Sequence, residues 1–449
     1  VKWVDRTNPV DTIEAEAAMG DEPGPPPGYR QYLDELAAAE SPAAYPAVSG
    51  AAPELAAALV TGVTDRAEDL CTLSHDIHAR PELAFAEHFA VETVAKLLAT
   101  HGADVTTDVW GLPTAFVARA GTGRPHVAIL AEYDALPQIG HGCGHNIICS
   151  AAVGAFLALA PVIGDLGGRV SLIGTPAEEG GGGKEVIARA GGFDDVDAAI
   201  MIHPAGAEAA ECAYLGLREL NVTYRGLAAH AASQPYLGRN ALDAVVTAYQ
   251  SIAQLRQHLL PVERVHGVIT DGGSKPNIVP ERAAASFYFR SPTVGTLEQL
   301  TDRADAIFRA AAAATGTEVD LEWNATPVYL PVRTNRPLAA RYVAAMAERG
   351  RDVPLVAPVP AGSTDMGNVS VRVPAIHPKI AVSPSTISLH SRQFTDYAVS
   401  AAGDRAVLDG AIGLARTAAD FLADAELRQV VAEDFARAGG VVDVVALDR

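Results

Sequence analysis

The chain has 449 residues, too many for one ordinary hydrophobic core, so two domains are expected. Half of it is hydrophobic with few aromatics, which reads as α/β protein, and a formal charge of −20 excludes nucleic acid as a partner, since that would demand clustered Lys and Arg. Four cysteines without paired spacing exclude a disulfide scaffold and fit a reducing cytoplasm.

Residues 1–50 are acidic, Ala-rich and interrupted by proline. The run Pro23-Gly-Pro-Pro-Pro-Gly28 cannot be helix or interior strand, so this part reads as an extension on the main body, with a short helix around Tyr29 to Glu40. The start Val1-Lys-Trp-Val-Asp5 shows no basic segment followed by an apolar run, and no uninterrupted apolar stretch reaches about 18 residues. Neither a leader nor a membrane span is expected, and the expected location is cytoplasmic.

Regular structure begins near Pro53. Leu55 to Asp76 has helical apolar spacing, and a second helix follows from Ala86 to Thr100. Strands are predicted at Thr114–Arg119, Pro125–Ala131, Arg169–Gly174 and Ala198–Ile202, with helices between them. The apolar run Ile147 to Ile163 contains Gly154 and Pro161 and reads as a buried helix. Alternating strands and helices imply a mainly parallel sheet covered on both faces.

The rhythm changes near Leu217. Strands at Glu219–Tyr224, Val265–Thr270, Ala283–Phe289 and Glu318–Trp323 alternate with helices at Arg239–Leu260 and Leu297–Ala314. This is the pattern of a compact α+β insert. The predicted division is an extension over 1–50, a catalytic domain over 51–216 and 329–449, and an insert over 217–328.

The chemistry concentrates in His141-Gly-Cys143-Gly-His145-Asn146, between a predicted strand and a predicted helix. Thiolate and imidazole suit zinc-like ions, and glycine lets backbone approach a small centre closely. Further groups fall at or near predicted strand ends: Asp134 in Glu132-Tyr-Asp-Ala-Leu-Pro137, the pair Glu178-Glu179 before a glycine run, and His203-Pro204. His390 lies just before a late helix. Ligand sites in parallel sheets gather at the carboxyl ends of strands, so these groups can converge. A lone Glu-Glu pair is ordinarily solvated surface and a lone His-Pro a turn; their joint occurrence is what points to a site. Of the two glutamates, one can bind metal while its neighbour takes a proton from a water that the metal acidifies and returns it to a leaving amine. Cys143, His145, Glu179, His203 and His390 exceed what one tetrahedral site needs, which suggests two metals sharing a ligand. Cys71, Cys149 and Cys212 read as structural.

These motifs, with Asp76-Ile-His-Ala-Arg-Pro-Glu-Leu83 and Thr175-Pro-Ala-Glu-Glu179, resemble metallopeptidase family twenty, the family of aminoacylases, glutamate-releasing carboxypeptidases and auxin-conjugate or hippurate amidohydrolases. The resemblance implies that Cys143 bridges two divalent ions, with His145 and His203 completing one site and Glu179 and His390 the other. It implies Glu178 as general base and acid, and Asp134 orienting a ligand imidazole from behind. The insert resembles the family's ferredoxin-like lid, which usually dimerises; His230 resembles the lid histidine that crosses the dimer to the scissile carbonyl. Asn277 and Arg290 resemble groups that hold a substrate carboxylate, and Gly362 and Ser363 could present backbone donors.

Where many auxin-conjugate and hippurate hydrolases carry aspartate, this chain has Asn146, which is more like the branch of aminobenzoyl-glutamate hydrolase and β-alanyl-lysine dipeptidases. Ala361-Gly-Ser-Thr-Asp-Met-Gly-Asn368 and Ile376-His-Pro378 also look like that branch, with His377 read as a turn residue. The implied protein is a cytoplasmic, homodimeric amidohydrolase acting on a dipeptide-like or N-acyl-amino-acid substrate. Its two ions are Zn or Mn, with Co or Ni also permitted. Two alternatives stand beside it: an N-deacylase of a secondary-metabolite intermediate, and a non-catalytic metal-binding scaffold.

Overall fold

A computed structural model describes residue 28, residues 50–356 and residues 362–447. The Pro-rich extension, Gly28 apart, and the helix expected within it lie outside the described residues. One sheet of six strands has the order β1 (Val105–Val109), β2 (Leu112–Gly121), β4 (Arg169–Gly174), β3 (His126–Ala131), β5 (Ala198–Ile200) and β11 (Ala375–Ile376). β3 runs parallel to β4 and β5, and β5 parallel to β11, while β1 and β2 extend the edge antiparallel.

Every residue of β3 is buried, which is why it reads as the continuous apolar run Val-Ala-Ile-Leu-Ala. Helix His145–Leu159 lies on one face of the sheet, packed against Ala401–Ala423. On the other face Ile187, Met366 and Val369 join Leu130 and Ile173 in a second apolar layer. The run His145–Leu166 is long and apolar enough to cross a bilayer by length and composition. Here it is the central core helix, with every residue from 145 to 159 buried.

A second sheet has the antiparallel order β10 (Glu318–Trp323), β7 (Gly216–Arg225), β9 (Arg282–Ser291), β8 (Arg264–Asp271). This is the ferredoxin-like order. Helices Ala241–Leu255 and Val294–Thr315 cover one face, packing on Leu220, Val222, Tyr224, Phe287 and Phe289. The alternation in β7 leaves Leu217, Glu219, Asn221 and Thr223 on the opposite face.

Three local expectations change. The helix read over 55–76 is two helices, Pro53–Thr64 and Ala67–Ala79; the Arg66 guanidinium donates to the carbonyl of Gly62 at 2.7 Å and closes the first. The strand read to Ile202 stops at Ile200. His203 therefore opens a new strand, β6 (His203–Ala205), which pairs in parallel with β12 (Lys379–Ala381). His377 is no turn residue exposed to water. It is buried between β11 and β12 and stacks on the Tyr214 ring at 4.9 Å.

Candidate metal centre

The parallel strands β3, β4 and β5 deliver Glu132 and Asp134, Glu178 and Glu179, and His203 to the same edge of the sheet. The glycines around Cys143 explain how the remaining ligands reach it. A Cβ on Gly142 would stand 2.7 Å from the Ile139 side chain and 3.5 Å from the His390 Cα, and the Gly142 carbonyl accepts the His390 N–H at 2.9 Å. A Cβ on Gly144 would stand 2.7 Å from the Pro204 ring, and Gly144 has φ +76°. Each glycine thus makes room for the segment that brings another histidine.

Four sets of three potential ligand atoms lie within 4.8 Å of one another among the described residues: Cys143, His145 and His203; Cys143, Glu179 and His390; His145, Glu178 and Glu179; and Glu132, Glu178 and Asp365, the last enclosing the Lys184 ammonium. Cys143 is common to the first two. Its Sγ is 3.4 Å from His203 Nε2, and His390 Nε2 is 3.4 Å from Glu179 Oε1. Asp134 ties the sets together from behind. Its Oδ1 is 3.0 Å from His145 Nδ1, and its Oδ2 accepts the Glu179 N–H at 2.9 Å. One carboxylate therefore fixes a ligand ring and a ligand backbone. His390 holds φ +60° and Ala177, just before the glutamates, φ +62°; such backbone persists only where its surroundings over-determine it.

The donor set fits divalent ions. His145 Nε2 and Glu179 Oε1 are buried without hydrogen-bond partners, and both point into the cluster. Burial and the charge of Glu179 push the Cys143 thiol well up, so a thiolate there calls for a cation beside it. Burial and His145 lower His203 to about 3, which keeps its imidazole neutral as a ligand must be. Burial would raise Glu179, but His390 and His145 hold it below its ordinary value. Glu178 sits beside them, 3.9 Å from His145 Nε2, and burial with the charges of Glu132, Glu179 and Asp365 pushes it up.

Other sequence-predicted residues divide. Arg290, Gly362 and Ser363 line a cleft of ≈ 420 Å³ whose walls also include Cys143, Glu178, Glu179, His203 and His390. Arg290 donates to Ser363 Oγ at 2.7 Å. His230 and Asn277 are exposed on the lid and absent from that lining. Asn146 turns away from the cluster and donates to Ser74 Oγ and the Ala398 carbonyl, joining helices. His141 is buried with neither ring nitrogen bonded, and it belongs to none of the ligand sets among the described residues.

Sequence reading missed a buried triad. Lys184 Nζ donates to Glu132 Oε1 at 2.5 Å and Asp365 Oδ1 at 2.6 Å, with all three side chains fully buried. Glu132 Oε2 lies 3.4 Å from His145 Nε2. One signal was available: Glu132 and Asp134 are two apart on extended chain and so share a side.

Glu87 was also missed. Its Oε1 accepts the N–H groups of Ala177 and Phe85, pinning the turn that presents Glu178 and Glu179. Burial, with the Asp134 charge adding, pushes Glu87 up to about 7. Between pH about 4.5 and about 7 the unfolded chain has lost this proton while the folded chain keeps it, so stability falls as pH rises through that window. Glu87→Gln keeps the Oε1 acceptor and removes the charge. Its unfolding midpoint relative to wild type should climb by the equivalent of about 1–3 kcal/mol from pH 4.5 to pH 8; parallel pH profiles would refute this.

The sequence matches the profile of the peptidase family M20/M25/M40 over residues 128–402. The chain belongs to this family. It is 39% identical over 394 residues to the Xaa-Arg dipeptidase of Mus musculus, spanning 83% of this chain and 90% of that one. It is 37% identical over 284 residues to one of the chains that make up the p-aminobenzoyl-glutamate hydrolase of Escherichia coli, spanning 58% and 59%. These M20 relatives agree with the branch to which Asn146 pointed. A solved M20 structure, a dinuclear metal binding peptidase of Bacillus subtilis, has the same fold with a TM-score of 0.59 at 18% identity, covering 78% of this chain and 98% of that one.

Proposed function

We propose that this M20 chain is a two-metal amidohydrolase that cleaves the amide bond of a dipeptide-like or N-acyl-amino-acid substrate. The observation that carries the reading is the sharing of Cys143 between two ligand sets, one buried and one open to the cleft through His390, with the carboxylate of Glu178 beside them. Relatives named as an Xaa-Arg dipeptidase and as a p-aminobenzoyl-glutamate hydrolase support it.

His145 and His203 with Cys143 would hold one divalent ion, and Glu179 and His390 with Cys143 the other. Such ions, Zn or Mn by the mixture of S, N and O donors, would polarise the scissile carbonyl and lower the pKa of the attacking water. Glu178 takes the proton from that water and passes it to the leaving nitrogen. Arg290, steadied by Ser363, holds the substrate carboxylate with its planar fork.

His230 lies outside the cleft of its own chain, which supports a homodimer in which it reaches the neighbour's cleft to stabilise the oxyanion. Exposed Leu227, Tyr236, Leu237 and Ile278 near it offer apolar surface for that contact. A single-chain mass by sedimentation at micromolar concentration would remove this part of the reading.

The test is hydrolysis of N-acyl amino acids, aminobenzoyl-glutamate and basic dipeptides by protein loaded with Zn or Mn and by protein stripped with chelator. Cleavage by loaded protein alone is expected; chelator-resistant cleavage, or none of any amide, would overturn it.

A further inference from the structure

We propose that Tyr214 is a catalytic residue of its own chain: its hydroxyl donates a hydrogen bond to the scissile carbonyl oxygen as that oxygen gains negative charge. The inference rests on the hydrolase reading given above and adds a donor that needs no second chain.

Tyr214 stands where the chain leaves the catalytic domain, two residues before β7. Its N–H donates to the Cys212 carbonyl at 2.9 Å, and the N–H of Leu215 donates to the Gly362 carbonyl at 3.0 Å, so the backbone there is fixed. The ring is fixed as well. His377 stacks on it at 4.9 Å with the planes 14° apart, and the Lys379 ammonium stands 5.7 Å from its centre. His377 in turn meets the His203 ring edge-on at 5.4 Å. Tyr214 is thus one ring removed from a candidate ligand, and it lines the same cleft as Cys143, Glu178 and His203.

The hydroxyl on this fixed ring is buried and has no hydrogen-bond partner among the described residues. A buried polar group left unbonded costs about 1–3 kcal/mol, so its presence calls for a partner that arrives from outside the chain. Tyr329, on the same cleft, is a contrast: its hydroxyl already donates to the Glu178 carbonyl at 2.6 Å. Burial above all, then the charges of Cys212, Cys143, Glu178 and Glu132, push the Tyr214 hydroxyl well above its ordinary value. It therefore keeps its proton and gives only a hydrogen bond, while Glu178 carries the proton that moves. A rigid donor of this kind bonds most strongly to the oxygen when it is most negative, which favours the tetrahedral state over the bound amide.

The test compares wild type with Tyr214→Phe, each as the full chain loaded with Zn or Mn. Phenylalanine keeps the ring on His377 and removes only the hydroxyl. Rates are measured on the same panel of N-acyl amino acids, aminobenzoyl-glutamate and basic dipeptides. Calorimetry then reads binding of the amino acid product and of the phosphinate isostere of the amide cleaved fastest, in which a tetrahedral phosphorus replaces the carbonyl carbon. In Tyr214→Phe kcat should fall about 10²–10³-fold with KM within about twofold of wild type. The phosphinate should bind at least about tenfold more weakly and the amino acid equally well. The thermal midpoint should hold or rise, because a buried hydroxyl without a partner is gone. Wild-type kcat, a loss confined to KM, an unchanged phosphinate affinity, or a lowered midpoint that marks the hydroxyl as structural would each overturn the proposal. A wild type that cleaves no amide of the panel would sink the hydrolase reading and this one with it. A cleaving wild type matched by Tyr214→Phe would sink this one alone.

Discussion

Glu178→Gln should lower kcat by about 10²–10⁴-fold while metal content stays at the wild-type level. Glutamine keeps the volume and one acceptor oxygen but cannot take a proton from water at neutral pH. Glu178 belongs to neither of the two sets that share Cys143, so the ions should bind without it. Its backbone is held independently, because Tyr329 donates its hydroxyl to the Glu178 carbonyl at 2.6 Å. The loss should appear in kcat with little change in KM, since the proton moves only in the chemical steps. A variant with wild-type kcat would remove Glu178 from the mechanism. A variant that loses metal would recast it as a ligand.

Lys184→Met should destabilise the folded chain by about 3–5 kcal/mol. Lys184 is fully buried, and its removal would leave Glu132 and Asp365 as facing buried carboxylates with no cation between them. Burial alone would lower the Lys184 ammonium, yet Asp365 and Glu132 hold it above its ordinary range, so it is charged at neutral pH. The same lysine's N–H donates to Asp365 Oδ2 at 2.9 Å, which ties the glycine-rich turn to the late loop. Adding Glu132→Gln and Asp365→Asn to Lys184→Met should restore part of the loss, because the unpaired charges are then gone. Urea midpoints for the three proteins check this; a Lys184→Met protein as stable as wild type would show the triad to be dispensable.

The sequence made the converging candidate ligands legible for a physical reason. Metal ligands are rare residue types, and here each falls where a strand or a helix boundary is readable. The strands and helices of the insert were equally legible, because β7 alternates one buried face with one open face; its ferredoxin-like order was an implication of the resemblance. β1 was missed because Val105–Val109 is an edge strand whose middle residues are exposed, which leaves no apolar pattern to detect. The break at residues 65–66 was missed because a side chain closes that helix, with no Gly or Pro to mark it.

Lys184, Asp365 and Glu87 were hidden differently. Each is an ordinary charged residue until the fold buries it, and its meaning lies in partners between 52 and 181 residues away for the lysine, and 90 for Glu87. His377 read as a turn because a proline follows it; only the pairing of β6 with β12 shows that it is enclosed. His230 and Asn277 are exposed and do not line the cleft of the single chain, so the roles that the resemblance implies for them belong to the proposed dimer.

The most direct measurement is metal stoichiometry on the purified chain titrated with Zn or Mn, for wild type and Cys143→Ala. Two ions should bind per wild-type chain, with hydrolysis appearing as they do, and both should be lost in the variant, because the sulfur is common to the two sites. A wild-type chain that binds no ion, or a Cys143→Ala protein that keeps two, would contradict the shared-ligand centre.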